Sequence, residues 1–217
     1  MKNKTYFISG IDTDCGKTYI TGNLAKLLQS HGKKVITHKL IQTGCAGISE
    51  DVLEHRRIMG VDLFPEDKSG ITCPYVLSFP ASPHLACEID KLELDFDSIK
   101  SSISALASKY EIVLCEGAGG LMVPLKKDYL TIDFIKENNY PVILVSSSKL
   151  GSINHTILSL QACKSYGIDL KYVIYNEFPD QNKLISEDSY KYLKSYVQSN
   201  FTNVEFFRNE NLDQIKL

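Results

Sequence analysis

The sequence predicts an α/β fold, a mostly parallel sheet flanked by helices on both faces. Two observations predict it. Short β-branched runs alternate with helical stretches from end to end, and such alternation implies parallel strands joined by right-handed crossovers. The runs are also continuously apolar rather than alternating, which suits strands covered on both sides.

The elements follow in chain order. Tyr6–Ser9 is the first strand. In the helix after it, Ile20, Leu24, Leu27 and Leu28 fall at i, i+4, i+7 and i+8, and Gly32 supplies a C-terminal stop. Val35–His38 is the second strand. Residues 44–94 hold Pro65, Pro74, Pro80 and Pro83 and few long periodic runs, so they read as helices and loops inserted before the third strand. Phe96 to Lys109 reads as a helix and Ile112–Cys115 as the third strand. Val142–Ser146 is the fourth strand. Ser152 is the expected N-cap of a helix carrying Ile153, Ile157 and Leu160. Tyr172–Tyr175, a helix from Ser186 to Gln198, and the weaker strand Val204–Phe207 complete the pattern. No Gly/Ser linker, repeat or low-complexity segment divides the chain, so residues 1–217 read as one domain.

The 217 residues suffice to bury about 70% of the unfolded surface without disulfide or metal staples. With 43% apolar and 23% charged residues, disorder is not expected. A net charge of −2 gives no electrostatic reason to bind nucleic acid or a membrane surface. No apolar run approaches the ~20 residues of a membrane helix, and Met1–Gly10 lacks the apolar stretch of a secretory leader. Cysteines 15, 45, 73, 87, 115 and 163 show no metal spacing. They read as reduced thiols of a cytoplasmic protein.

The strongest motif is Gly10-Ile11-Asp12-Thr13-Asp14-Cys15-Gly16-Lys17-Thr18, which leaves a strand and opens a helix. This is the context a phosphate loop requires. Glycines let the backbone turn its N–H groups inward, and the helix N-terminus adds positive partial charge. Lys17 can reach terminal phosphate oxygens, and Thr18 can offer its hydroxyl to Mg²⁺. Five residues, not the usual four, separate the two glycines. The fold expectation sharpens to the three-layer architecture of P-loop NTPases. Lys39, with Leu40-Ile41-Gln42-Thr43-Gly44 after it, ends the second strand, on the side where open α/β sheets bind ligands. The third strand delivers Glu116 at its tip, followed by Gly117-Ala118-Gly119-Gly120. A carboxylate there can hold Mg²⁺ directly or through water.

Together these strings resemble the dethiobiotin synthetases, ATP-dependent carboxylases of biotin synthesis. The resemblance runs from residue 10 to about 176. It rests on the five-residue phosphate loop, Lys39…Thr43-Gly44, Ser82-Pro83-His84, Glu116-Gly117-Ala118-Gly119-Gly120-Leu121-Met122-Val123-Pro124-Leu125, Lys149-Leu150-Gly151-Ser152-Ile153-Asn154-His155, and Asn176. It implies that 7,8-diaminopelargonate, CO₂ and ATP give dethiobiotin, ADP and phosphate with Mg²⁺. A carbamate and a carbamic–phosphoric anhydride would be the intermediates. By the same resemblance Lys17 and Lys39 are catalytic. Asp14, Cys15, Gly16, Lys17, Thr18 and Tyr19 hold ATP, and Asn176 reads the adenine edge. Thr18, Asp51 and Glu116 hold the metal, although Glu50 stands next to Asp51, and both acids also suit a helix N-terminus. Thr13, Lys39, Thr43 and Gly119 contact substrate. Leu150, Gly151 and Asn154 reach it from a second subunit, so the resemblance implies a homodimer.

Two departures stand out. Leu40 replaces the proline that often follows the lysine in this family. The segment Val204-Glu205-Phe206-Phe207-Arg208-Asn209 lacks the proline of the usual base-binding loop. His84 and His155 have no partner acid at obvious spacing and read as structural. The alternative function is an ATPase switch of the partitioning or membrane-localising type. Those proteins carry an extra lysine early in the phosphate loop, where this chain has Ile11, Asp12 and Thr13.

Overall fold

The structure is a computed structural model that describes residues 4–177 and 182–217; Met1 to Asn3, part of the leader reading, lie outside the described residues. In chain order its elements are β1 (Lys4–Gly10), α1 (Lys17–Ser30), β2 (Val35–Lys39), β3 (Gln42–Thr43), α2 (Glu50–Met59), α3 (Pro65–Lys68), β4 (Val76–Leu77), α4 (Pro83–Asp90), α5 (Phe96–Lys109) and β5 (Ile112–Gly120). Then come β6 (Pro124–Lys126), β7 (Tyr129–Leu130), α6 (Thr131–Glu137), β8 (Val142–Ser147), α7 (Ser152–Tyr166), β9 (Leu170–Asn176), α8 (Lys183–Asn200), β10 (Glu205–Arg208) and a 3₁₀ helix, Asn209–Gln214.

Six of the strands form one parallel sheet in the order β10-β9-β8-β1-β5-β2. These are the six runs that the sequence marks as strands. Both faces are apolar, and successive residues alternate between them. Phe7, Val113, Cys115, Val142 and Leu144 join the core under α5, α6, α7 and α8. Tyr6, Ile8, Leu114, Ile143 and Val145 join the core under α1 and the 3₁₀ helix. The result is the expected three-layer sandwich. A 14-residue helix is marginal alone in water. Burial of Ile20, Leu24 and Leu28 holds α1 on the sheet, at roughly 1.5–3 kcal/mol for each side chain.

Two local expectations change and one helix is added. Residue 151, not Ser152, caps α7: Gly151 takes φ 95° and ψ −12° with no side-chain cap. Ser152 lies inside the helix with its buried Oγ unpartnered among the described residues. β5 does not stop at Cys115 but continues through Gly120, because Gly120 pairs with Gly10 of β1 beyond an irregularity in the register. A seven-residue helix, α6, was not legible as periodicity. Asp133 accepts the Leu130 N–H at its start, at 2.8 Å. Within 44–94 the structure has α2, α3, α4 and a two-stranded sheet of β3 and β4.

His38 is enclosed on the α5 side. It bonds Ser102 Oγ at 3.0 Å and contacts Cys115 Sγ at 3.4 Å. Burial pushes its pKa down to about 3 from the ordinary 6.5. The unfolded chain therefore binds more protons than the folded one between those values, and stability falls as pH drops through this window. From pH 7 to pH 5 the loss through this residue is about 2 kcal/mol. Urea unfolding at the two pH values should show that His38→Gln loses less stability than the unmutated chain by about this amount; equal losses would contradict it.

Candidate active site

The site is built where β1, β2 and β5 end. β2 and β5 pair in parallel with Lys39 opposite Glu116. Paired residues of parallel strands point to the same face, here the face covered by α1 and α2. The register therefore places the ammonium beside the carboxylate. Lys39 Nζ donates to Glu116 Oε1 at 3.0 Å and to the Gly117 carbonyl at 3.1 Å, and it also pairs with Asp51. Asp51 arrives in the first turn of α2, whose N-cap Ser49 accepts from the Val52 N–H. Glu50, its neighbour, is exposed. Thr18 Oγ1, in the first turn of α1, lies 3.0 Å from both Asp51 Oδ1 and Glu116 Oε1.

The electrostatics follow from burial. Desolvation alone would raise the Glu116 pKa. The Lys39 ammonium, then the His55 bond, overcome it and hold the carboxyl far below the usual carboxylate range. Burial pulls Lys39 downward, but Glu116 and Asp51 outweigh it and hold the amine protonated. Thr18 has one proton to offer two carboxylates. The three oxygens converge as hard donors and fit Mg²⁺, which binds through one or two carboxylates and keeps waters and phosphates as its other ligands. Among the described residues no cluster of three or more His, Cys, Asp or Glu offers an alternative cage.

The phosphate loop curls over this cluster. Gly16 sits at φ 96°, and a Cβ there would lie 2.0 Å from Asn176 Nδ2. At Gly10 a Cβ would lie 2.3 Å from Cys15 Sγ. The loop is therefore packed against its own thiol and against the end of β9. Asn176 is buried and donates to the Cys15 carbonyl at 3.1 Å. Lys17 Nζ donates back to the Asp12 carbonyl at 2.8 Å. The first turn of α1 holds no acidic residue and Gly16 gives no side-chain cap, so no acid of that turn offsets the positive end of the helix, which suits an anion.

A cleft of about 740 Å³ gathers Thr13, Asp14, Gly16, Lys17, Thr18, Tyr19, Lys39, Thr43, Asp51, Glu116 and Gly119. Its opposite wall is Pro80, Ala81, Ser82 and Pro83 at the start of α4. Five expected contacts do not line it. Cys15 is buried within the loop and Asn176 behind it. Leu150, Gly151 and Asn154 stand on the outer surface at the start of α7, with Leu150 80% exposed. His155 lies 3.7 Å from Asp12.

Gln42 and His55, to which the sequence assigns no role, also shape the site. Gln42 Oε1 accepts from Ser49 Oγ at 2.7 Å and from the Asp51 N–H at 3.3 Å, which fixes the entry to α2. His55 Nε2 lies 2.8 Å from Glu116 Oε2. A signal for His55 existed: it stands four residues after Asp51 on one helix, hence on the same face.

A phosphate loop, a lysine and a carboxylate at adjacent strand ends define a P-loop nucleotide-binding protein. A family model described as AAA domain matches residues 4–212. The ATP-dependent dethiobiotin synthetase BioD 2 of Pasteurella multocida is 49% identical over 94% of this chain and 95% of its own. The protein of the same name from Haemophilus influenzae is 54% identical over 84% of this chain and 95% of its own. The solved structure of pNOB8 ParA superposes with a TM-score of 0.57 at 13% identity, over 93% of this chain and 74% of that one. At that identity it speaks for the fold alone. The chain belongs to the AAA-domain family and, within it, to the ATP-dependent dethiobiotin synthetases.

Gly16→Ala should destabilise the fold by roughly 1–3 kcal/mol, the range for a non-glycine residue forced into a sparsely populated backbone region. It should also weaken ATP binding, because Asn176 must move. Thermal unfolding and titration with ATP check both; unchanged values would remove the close packing from the account.

Proposed function

We propose that this chain carboxylates 7,8-diaminopelargonate with CO₂ and closes the ureido ring of dethiobiotin, converting ATP to ADP and phosphate. The observation that carries this reading is the convergence of Lys17 and Lys39 with Thr18, Asp51 and Glu116 in one cleft, in a chain whose relatives are named dethiobiotin synthetases. One amine of the substrate adds to CO₂ and loses a proton, giving a carbamate. A carbamate oxygen attacks the γ-phosphorus, and ADP leaves. The second amine then attacks the carbonyl carbon of the mixed anhydride, the C–O bond breaks, and phosphate departs with the oxygen it gained.

The difficulty in this sequence is the meeting of two anions. Lys17 lies in the loop that would wrap the phosphates, and Lys39 lies at the end of β2 in the same cleft. Two ammonium groups beside the reacting pair lower its repulsion and help to hold it in line. Thr18, Asp51 and Glu116 would hold Mg²⁺, which supplies further neutralisation of the triphosphate. Thr13 and Gly119 border the same floor and are the expected substrate contacts. Asn176 keeps the phosphate loop in place through Cys15, and it is the proposed contact for the adenine edge.

The substrate site is proposed to be shared between two protomers. Leu150, Gly151 and Asn154 do not line their own cleft. They are exposed at the N-terminus of α7, where the positive end of the helix dipole suits the substrate carboxylate. No described helix is long and apolar enough to cross a membrane. With six free cysteines, a cytoplasmic enzyme is the proposed setting.

Phosphate release from Mg-ATP and bicarbonate should require 7,8-diaminopelargonate, with dethiobiotin detected by mass spectrometry. Release without the diamine would instead place the chain among the ATPase switches. Lys17→Ala should lower kcat/KM by about 100-fold or more, as for loss of a charge that stabilises a transition state; a drop under about fivefold would sink that role. Asn154→Ala and Lys17→Ala chains, each impaired alone, should regain activity when mixed as dimers, since one site of the hybrid is then intact. No regain in verified hybrids would contradict a shared site.

A further inference from the structure

A chain of buried polar groups runs from Asp67 to Glu116 of the cleft, and its members other than Glu116 have no part in the proposed reaction. Asp67 at the end of α3 takes two bonds from Arg56 of α2, at Nε and Nη2, each 2.8 Å. Arg56 Nη1 lies 2.8 Å from Thr37 Oγ1 of β2. The same hydroxyl lies 3.0 Å from His55 Nδ1, and His55 Nε2 lies 2.8 Å from Glu116 Oε2. All five side chains are buried.

The direction of these bonds follows from the donor inventory. Arginine only donates, so Thr37 Oγ1 accepts from Arg56. The ionised Glu116 only accepts, so His55 Nε2 carries a proton. Thr37's one proton is then left for His55 Nδ1, and in this tautomer every group is satisfied. The consequence falls on Glu116. Its Oε2 is taken by His55 and turned inward, while Oε1 faces Thr18 and Lys39.

We propose that His55 is a positioning residue: it holds Glu116 Oε2 inward so that Oε1 alone meets the cleft, and thereby sets the affinity of the site for the divalent cation that accompanies the nucleotide. This rests on Glu116 being a metal ligand, as proposed above. A carboxylate free to rotate about its last bond would present either oxygen and lose part of its directed charge. Partners of this kind typically change metal affinity by about 10–100-fold when removed.

Two amide substitutions separate positioning from space-filling. The glutamine amide nitrogen reaches the place of imidazole Nε2 and can bond Glu116. The asparagine amide matches Nδ1 and reaches only Thr37. ATP binding by titration calorimetry, across a Mg²⁺ series and in EDTA, is the readout. His55→Asn should need about tenfold more Mg²⁺ for half-maximal coupling, with ATP binding in EDTA unchanged. His55→Gln should behave like the unmutated protein. Equal Mg²⁺ affinity in the two variants overturns the proposal, as does an equal loss for His55→Asn in EDTA. If His55→Asn does not fold, Thr37→Ser and Thr37→Val take its place. Serine keeps the hydroxyl that orients His55 and should bind Mg²⁺ normally, whereas valine should bind it several-fold more weakly; equal affinity overturns the proposal. ATP binding by the unmutated chain that ignores Mg²⁺ would overturn the metal reading itself, and this inference with it, before any variant is compared.

Discussion

Lys39 and Glu116 meet because β2 and β5 pair in parallel with these two residues in register, and the site depends on that meeting. Two buried charges are tolerable only as a pair with further bonds around them. Gly117, Thr18, His55 and Asp51 supply those bonds. Removing one partner would leave the other charged and buried, which in general costs about 3–5 kcal/mol. A one-residue slip of β2 would send Lys39 to the opposite face, among the apolar side chains under α5. The continuous apolar runs that specify the sheet therefore also specify the chemistry at its end.

The same pair explains how α1 and α2 are anchored. Thr18 and Asp51 each bond into it from a helix terminus, so the N-terminal turns of both helices point at one spot. Helix termini attract anions, and the cluster itself brings two carboxylates and one ammonium. Lys17 offsets the remaining negative charge from above. The cleft is thus nearly balanced among its own groups and can admit a triphosphate and its counter-cation together.

Much of this was legible in the sequence, for physical reasons that differ by residue. Strands such as Val142–Ser147 are buried on both faces and announce themselves as unbroken apolar runs. The phosphate loop is legible because its function constrains local spacing. Glu116 was found as the polar end of an apolar strand, but the continuation to Gly120 was not, since glycines read as a turn until Gly10 is seen to pair with Gly120. Asp51 could not be separated from Glu50 by sequence, because both favour a helix N-terminus; the helix phase turns one inward and leaves the other in solvent. The cap at Gly151 is hidden for a related reason: a backbone in the left-handed region replaces the side-chain cap that Ser152 suggests. Buried networks such as Asp67–Arg56–Thr37–His55 are hardest to read. Their members lie up to 30 positions apart, from Thr37 to Asp67, and become neighbours only when α2 packs on β2.

In the proposed reaction two anions meet beside Lys17 and Lys39, and the fate of one oxygen atom tests that meeting. If a carbamate oxygen attacks the γ-phosphate, ¹⁸O supplied as labelled CO₂ must appear in the released phosphate. The measurement is mass spectrometry of phosphate quenched before the label exchanges with water. One ¹⁸O carried into phosphate for each dethiobiotin formed is expected. Unlabelled phosphate, formed while dethiobiotin accumulates with its ureido carbonyl labelled, would show that water cleaves ATP and would contradict it.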